Sequence, residues 1–241
     1  MRPLRLGSVV IPPITATILV GLVALFIASG IAVNFVPAIG VGVSYLPVTT
    51  TDVLAGQVWR LFTYALLHDL SNPFHMLFNG LIIYFFGRQL EERWSTGRYL
   101  LFLALTVVVG GVFVVGAGWL GIGTGSAIGA SAFAEGLIVA WGLTYRDREV
   151  RLMFAIPMKG IHMVWVAVFF WVLEAVSTSH TSAAAHLGGM LTGAFLVLGV
   201  WNPNKVKVAW ASLLEKIGLK KKTKLFVVPG PSKGPEKKWI N

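Results

Sequence analysis

Ser131 stands in Gly129-Ala130-Ser131-Ala132, where an apolar run begins. A starting helix presents unpaired backbone N–H groups and a positive dipole end. Such donors stabilise the oxyanion formed when a hydroxyl attacks a carbonyl. Gly129 permits close backbone approach just ahead of the serine. The competing reading is an ordinary N-cap serine. His186, in Ala185-His186-Leu187-Gly188-Gly189, is a base of suitable type for that hydroxyl. Gly189 and Gly193 below it form a face of small residues that another helix can approach closely. The competing reading is a histidine that only bonds a loop carbonyl. His75 and Asn79, at i and i+4, share one helix face. An imidazole N–H and an amide N–H can both donate to an oxyanion, or can simply join neighbouring helices. Glu135 lies one turn below Ser131 on the same face, placed to hydrogen-bond His186 or to be buried as the neutral acid. Asp52 and Asp69 fall in a loop and Glu174 lies near the end of another apolar run, so no third member of a triad is evident. The expectation is a Ser–His dyad.

The elements that must position these groups follow from composition. Of 241 residues, 56% are apolar and 12% are charged, with a mean hydropathy of +0.75. Soluble domains carry about twice that charge, so a cytosolic enzyme, a disordered chain and a coiled coil are excluded. Cysteine is absent, which removes disulfides, thiolate metal sites and cysteine nucleophiles. Six apolar runs, at 14–36, 74–89, 99–119, 130–145, 160–176 and 183–200, approach the length that crosses a bilayer. The second and fourth are short, which suits central helices surrounded by neighbours. The expected fold is an all-α, polytopic six-helix membrane bundle over 1–201. A basic cytoplasmic tail follows over 202–241. There Val206, Trp210, Leu213, Leu214 and Ile217 follow helical spacing, as in a short interfacial helix, and prolines and glycines after Val228 predict disorder. The first run is too long for the core of a cleaved secretory signal.

The net charge of +10 is explained by topology. Arg2 and Arg5 precede the first run. Arg88, Arg93 and Arg98 separate the second and third. Arg146, Arg148, Arg151 and Lys159 separate the fourth and fifth, and ten lysines follow the sixth. With six alternating spans all of these fall on one side, and Arg60 alone falls on the other. Basic loops stay in the cytoplasm, so both termini are expected there and nucleic acid is not a partner. The second, fourth and sixth spans then run inward from the outer face. His75, Asn79, Ser131 and His186 all lie near their outer ends, at similar depth.

These residues carry a resemblance. The chain is similar to the rhomboid intramembrane serine proteases of the minimal six-span bacterial type, over about 57–200. The resemblance rests on Trp59-Arg60, His68, the run His75 to Asn79, Gly87, Glu91, the Gly129-Ala130-Ser131 turn, and Ala185 to Gly189 with Gly193. It implies that Ser131 is the nucleophile and His186 the general base. His75, Asn79 and the Ser131 backbone N–H would hold the oxyanion, and Trp59-Arg60 would belong to a loop lying partly in the outer leaflet. Its substrates would be transmembrane proteins within the lipid bilayer of a bacterial inner membrane, with the site opening to the outer face. Two positions depart from the family pattern. Ala132 follows the serine where glycine is usual, and Glu135 stands where an aromatic residue usually packs against the histidine. A rhomboid-like protein that binds transmembrane helices without cleaving them is the alternative. A transporter lacks a visible inverted repeat, a zinc protease its H-E-x-x-H, and an aspartyl protease its paired aspartates in spans. No metal, nucleotide or other cofactor is expected.

Overall fold

The computed structural model describes residues 4–6, 9–123, 125–152, 155–177, 180–199 and 203–216. The chain divides into two units, Met1–Gly199 and Val200–Asn241. A short antiparallel pair, β1 (Leu4–Leu6) and β2 (Val9–Ile11), leads into helix α1 (Pro13–Phe35). Pro13 occupies the first helical turn, where its missing N–H costs nothing. An excursion of short elements follows: α2 (Pro37–Val43), β3 (Val48–Thr49), α3 (Thr50–Leu54), α4 (Arg60–Thr63) and a 3₁₀ turn at Tyr64–Leu66. Helix α5 (Pro73–Ile82) continues through a π-helical turn at Ile83–Gly87 into α6 (Arg88–Arg93). Then come α7 (Thr96–Trp119), β4 (Ser126–Ala127) and α8 (Ser131–Thr144). A β-hairpin, β5 (Glu149–Leu152) with β6 (Ile156–Lys159), precedes α9 (Gly160–Ala175) and α10 (His180–Leu198).

All six apolar runs are helical. Helices α1, α7 and α10 are long and apolar enough to cross a membrane, and α8 and α9 are shorter apolar helices. Large apolar side chains such as Val20, Ile27, Leu101, Trp165 and Phe169 point outward and are exposed. A helix that is apolar all round requires lipid or protein on every side. The basic loop before α9 contains the β5–β6 hairpin.

Helix α8 is the centre. Its residues from Ser131 to Ala134 and from Gly136 to Gly142 are buried. Trp141, Phe133 and Leu137 pack with Tyr99, Phe102 and Ile83. That agrees with a short, surrounded fourth helix. The second run does not fit the same reading. Helix α5 is peripheral, with Phe74, Leu77 and Phe78 exposed, and with its continuation it reaches Arg93. The expected run stops at 89 because Glu91, Glu92 and Arg93 follow. Glu91 is buried and caps α1, accepting hydrogen bonds from Ile14 N (2.8 Å), Thr15 N (2.7 Å) and Thr15 Oγ1 (2.7 Å). A charged capping acceptor satisfies α1's orphan donors and its positive end together. Gly87 gives Tyr99 its room, since a Cβ there would lie 2.5 Å from the Tyr99 hydroxyl.

The second unit contains α11 (Pro203–Lys216), which exposes Trp210 and Leu213. Ile217 and the rest of the expected tail lie outside the described residues.

Candidate active site

The excursion between α1 and α5 is fastened first. Arg60 is 3% exposed. It donates to Gln57 Oε1 (2.8 Å), Pro47 O (2.8 Å) and Ser44 O (3.1 Å), and pairs with Asp52 at 3.3 Å. Trp59 donates to Tyr45 O (3.3 Å) and remains exposed. Strand β3 pairs with β4, and Gly129 N donates to Tyr64 O at 2.9 Å. The excursion is thereby tied to the strand and turn that lead into α8.

Ser131 is the first residue of α8, with Ala130 at the cap position and no side-chain cap. The N-cap reading of the serine therefore fails, and its buried hydroxyl is not used to close its own helix. Gly129 has φ +118°, open to glycine at little cost. A Cβ on it would lie 2.7 Å from His75 Cε1, so the imidazole of His75 lies directly on this turn.

Helices α8 and α10 meet backbone to backbone. A Cβ on Gly189 would collide with the Ala132 carbonyl, and one on Gly193 would lie 2.6 Å from Gly136 O. The two contacts keep one register, so the helices run parallel and in step. Carried up three residues, that register sets His186 level with the Gly129 turn and the start of α8. On the other flank, a Cβ on Gly188 would lie 2.9 Å from Gly110 Cα of α7. Gly110 also accounts for Ala132, because a Cβ at Gly110 would lie 2.6 Å from the Ala132 methyl. The methyl that departs from the family pattern fills space left by a glycine on α7.

His186 Nδ1 and Glu174 Oε2 are 2.6 Å apart. With Nδ1–H donating, Nε2 carries the lone pair. Nε2 is buried and has no protein hydrogen-bond partner. The carboxylate on His186 is thus Glu174, which the sequence offered no reason to pair with it, and not Glu135. Glu174 of α9 meets His186 of α10, a contact that their separation in sequence does not display. His75, Glu135, Glu174 and His186 interact electrostatically as one cluster. Glu135 does not take the hydrogen bond to His186. Its Oε2 is buried without a partner, and its side chain lines a cleft of about 490 Å³. The cleft lies between Phe78, Ile82 and Phe86 on one side and Met163, Ala167 and Phe170 of α9 on the other.

Asn79 is buried, with Nδ2 3.2 Å from His68 Nε2. Ala130 N donates to the same nitrogen at 3.4 Å. Burial, reinforced by His75, pushes His68 down to about 4, so the ring is neutral and Nε2 is an acceptor. The rings of His68 and His75 meet edge to face at 5.3 Å. His68 was quoted only as part of a resemblance, and no role was read for it. It orients Asn79 and the first peptide of α8, leaving the second amide hydrogen of Asn79 for another acceptor. The resemblance was the only available signal, because a lone histidine five residues before a helix start does not reveal its burial. No group of three His, Cys, Asp or Glu among the described residues is arranged to hold a metal.

Comparison with known proteins decides the family. A family model described as the rhomboid domain matches residues 55–203. This chain belongs to the rhomboid family. It is similar to "Rhomboid-like protease 3" of Toxoplasma gondii, 27% identical over 58% of this chain and 51% of that protein. It is also similar to "Rhomboid protease GlpG" of Yersinia enterocolitica, 23% identical over 79% of this chain and 63% of that protein. The namesake in Pectobacterium atrosepticum is 23% identical over 61% of this chain and 49% of that protein. The chain thus spans between about half and two thirds of the curated relatives it matches. It is an integral membrane protein of rhomboid type, and the matched region contains both the Gly129 turn and the α8–α10 seam.

Proposed function

We propose that this rhomboid protein is an intramembrane serine endopeptidase acting on transmembrane protein substrates. The observation that carries the reading is the α8–α10 register. It sets a histidine with a buried, unpartnered Nε2 level with an uncapped helix-start serine. In the proposed reaction Ser131 Oγ attacks the scissile carbonyl carbon and passes its proton to His186 Nε2. The carbonyl electron pair moves to oxygen. The Ser131 backbone N–H, the free Asn79 amide hydrogen and His75 donate to that oxyanion. Return of the pair breaks the C–N bond, and the leaving amine takes the proton from Nε2. Water, deprotonated in turn by His186, hydrolyses the acyl-enzyme.

The proposed topology has six spans, both termini in the cytoplasm and a site opening to the outer face of a bacterial inner membrane. One-sided lysine and arginine support it. The apolar cleft between α5 and α9 supports lateral access for a substrate helix from the bilayer.

Purified protein in liposomes should cleave a transmembrane test substrate and be labelled by a fluorophosphonate. Ser131→Ala should lose both and remain folded. His186→Ala should lose both, and Asn79→Ala should retain part of the rate because two donors remain. Cleavage by Ser131→Ala would overturn the assignment. A folded parent that binds the substrate without cleaving or labelling would instead identify a non-catalytic helix binder.

A further inference from the structure

The 2.6 Å contact between His186 Nδ1 and Glu174 Oε2 is unexplained by packing alone. Helices α9 and α10 are already joined by Trp171 Nε1 donating to Ala183 O (2.9 Å), and His180 Nδ1 lies 3.0 Å from Ala175 O. A carboxylate within an apolar helix is costly and marks function by default. The contact also uses only one face of the imidazole. Nε2 is left buried and unpartnered, which a contact serving only to join helices has no reason to do. The Ser182 side chain lies beside the same carboxylate.

We infer that Glu174 is the third member of the catalytic array, a positioning residue that acts through His186; this rests on the Ser131–His186 reading above. Glu174 accepts Nδ1–H, which fixes the tautomer with its lone pair on Nε2 and holds the ring plane toward the start of α8. When Ser131 Oγ bonds to the carbonyl carbon, its proton moves to Nε2 and the ring becomes an imidazolium. The carboxylate then faces a full positive charge across the same hydrogen bond. Glu174 stays ionised throughout and no proton passes to it. The proton on Nε2 leaves with the amine when the C–N bond breaks. In soluble serine proteases an orienting carboxylate is worth about 10⁴-fold in kcat. The other titratable groups facing His186 are His75 from α5 and Glu135 from α8. Glu135 presents an unpartnered oxygen and makes no such bond.

The test compares Glu174→Gln, Glu174→Asp, Ser131→Ala and His186→Ala in liposomes. Cleavage kinetics, the fluorophosphonate inactivation rate and thermal unfolding are measured for each. Glu174→Gln is expected to lower kcat and the inactivation rate together by about 100-fold or more, with KM for the transmembrane substrate little changed. The acid limb of its pH–rate profile is expected to move to lower pH by about one unit, as loss of a neighbouring negative charge requires. Glu174→Asp is expected to recover part of the rate. If Ser131→Ala is inactive but Glu174→Gln matches the parent in kcat and acid limb, the inference on Glu174 falls and the Ser–His reading stands. If Glu174→Gln loses only folded protein, with unchanged kcat and acid limb for what remains, the role is structural and the inference is overturned. If Ser131→Ala or His186→Ala still cleaves, the underlying reading fails, and Glu174 falls with it.

Discussion

Two regions flank α8 and are built on opposite principles. The α8–α10 seam joins backbone to backbone, with Gly189 on Ala132 and Gly193 on Gly136, and no side chain between them. The α5–α9 side is a cleft of about 490 Å³, walled by long side chains such as Phe78 and Phe170 that are half exposed. Backbone contacts cannot repack by changing rotamers, so the seam holds one geometry. Aromatic side chains around open space can move without breaking hydrogen bonds. In the proposed reaction the groups that need fixed mutual positions, Ser131 and His186, sit on helices joined by the seam, and the side proposed for a variable guest is the cleft.

The sharpest way to break this comparison is to put a branched side chain into the seam. Gly189→Val is expected to lose at least about 100-fold in proteolysis, the cost of displacing reacting groups by ~1 Å, and to lower thermal stability. Gly188→Val is no neutral control, because Gly188 is pressed on Gly110 and Val109 of α7; it too should be destabilising. Gly116→Ala is the control, since a Cβ there meets nothing within 4 Å. Activity and melting temperature in one detergent decide the matter. Parent-like behaviour of Gly189→Val would mean that the seam is soft.

Glu91→Ala tests whether α1 belongs to the rigid half. It removes a buried acceptor from two backbone N–H groups and the Thr15 hydroxyl. A loss of about 2–3 kcal/mol is expected, with turnover per folded molecule retained at low temperature. An unchanged melting temperature would show that the cap is energetically idle.

On the cleft side, Phe78→Ala and Phe170→Ala are expected to change stability by less than about 1 kcal/mol, because both rings are already half exposed. They should alter kcat/KM for a transmembrane substrate and leave fluorophosphonate labelling unaffected. An equal loss in labelling would mean that the cleft also shapes the serine.

At His68 the expected effect is confined to acid pH and leaves neutral-pH behaviour unchanged. Its folded-state value of about 4 lies below the ordinary 6.5, so between these pH values the unfolded chain binds more protons. Stability is complete above about pH 6.5 and is lost as pH falls toward 4, by at most about 3 kcal/mol. His68→Gln keeps an acceptor near Asn79 and should flatten the melting temperature between pH 6.5 and 4. A slope identical to the parent would assign the acid sensitivity elsewhere.

Much of the helical layout was legible because hydropathy is a property of the local chain. Each apolar run is a helix, and the surrounded character of α8 was readable from its shortness and glycines. The same logic failed for α5. Its polar continuation looks like loop until Glu91 is seen to serve as the cap of a different helix. Ser131, His75, Asn79 and His186 were singled out by type and by their nearness to helix starts. What each touches was not readable. Asn79 meets His68, His75 lies over Gly129, and Glu135 turns to the cleft.

The sequence by itself determined that the chain enters a membrane, where its apolar helices lie, and which few polar side chains lie near helix starts. These follow from the cost of burying polar groups in lipid and from the one-sided placement of lysine and arginine. Only the tertiary structure decided that Glu174 meets His186, that Gly110 makes room for Ala132, and that α8 and α10 run in step. Those contacts depend on the rotation and register of whole helices. Rotation and register are fixed by packing between residues far apart in the chain, and no local pattern encodes them.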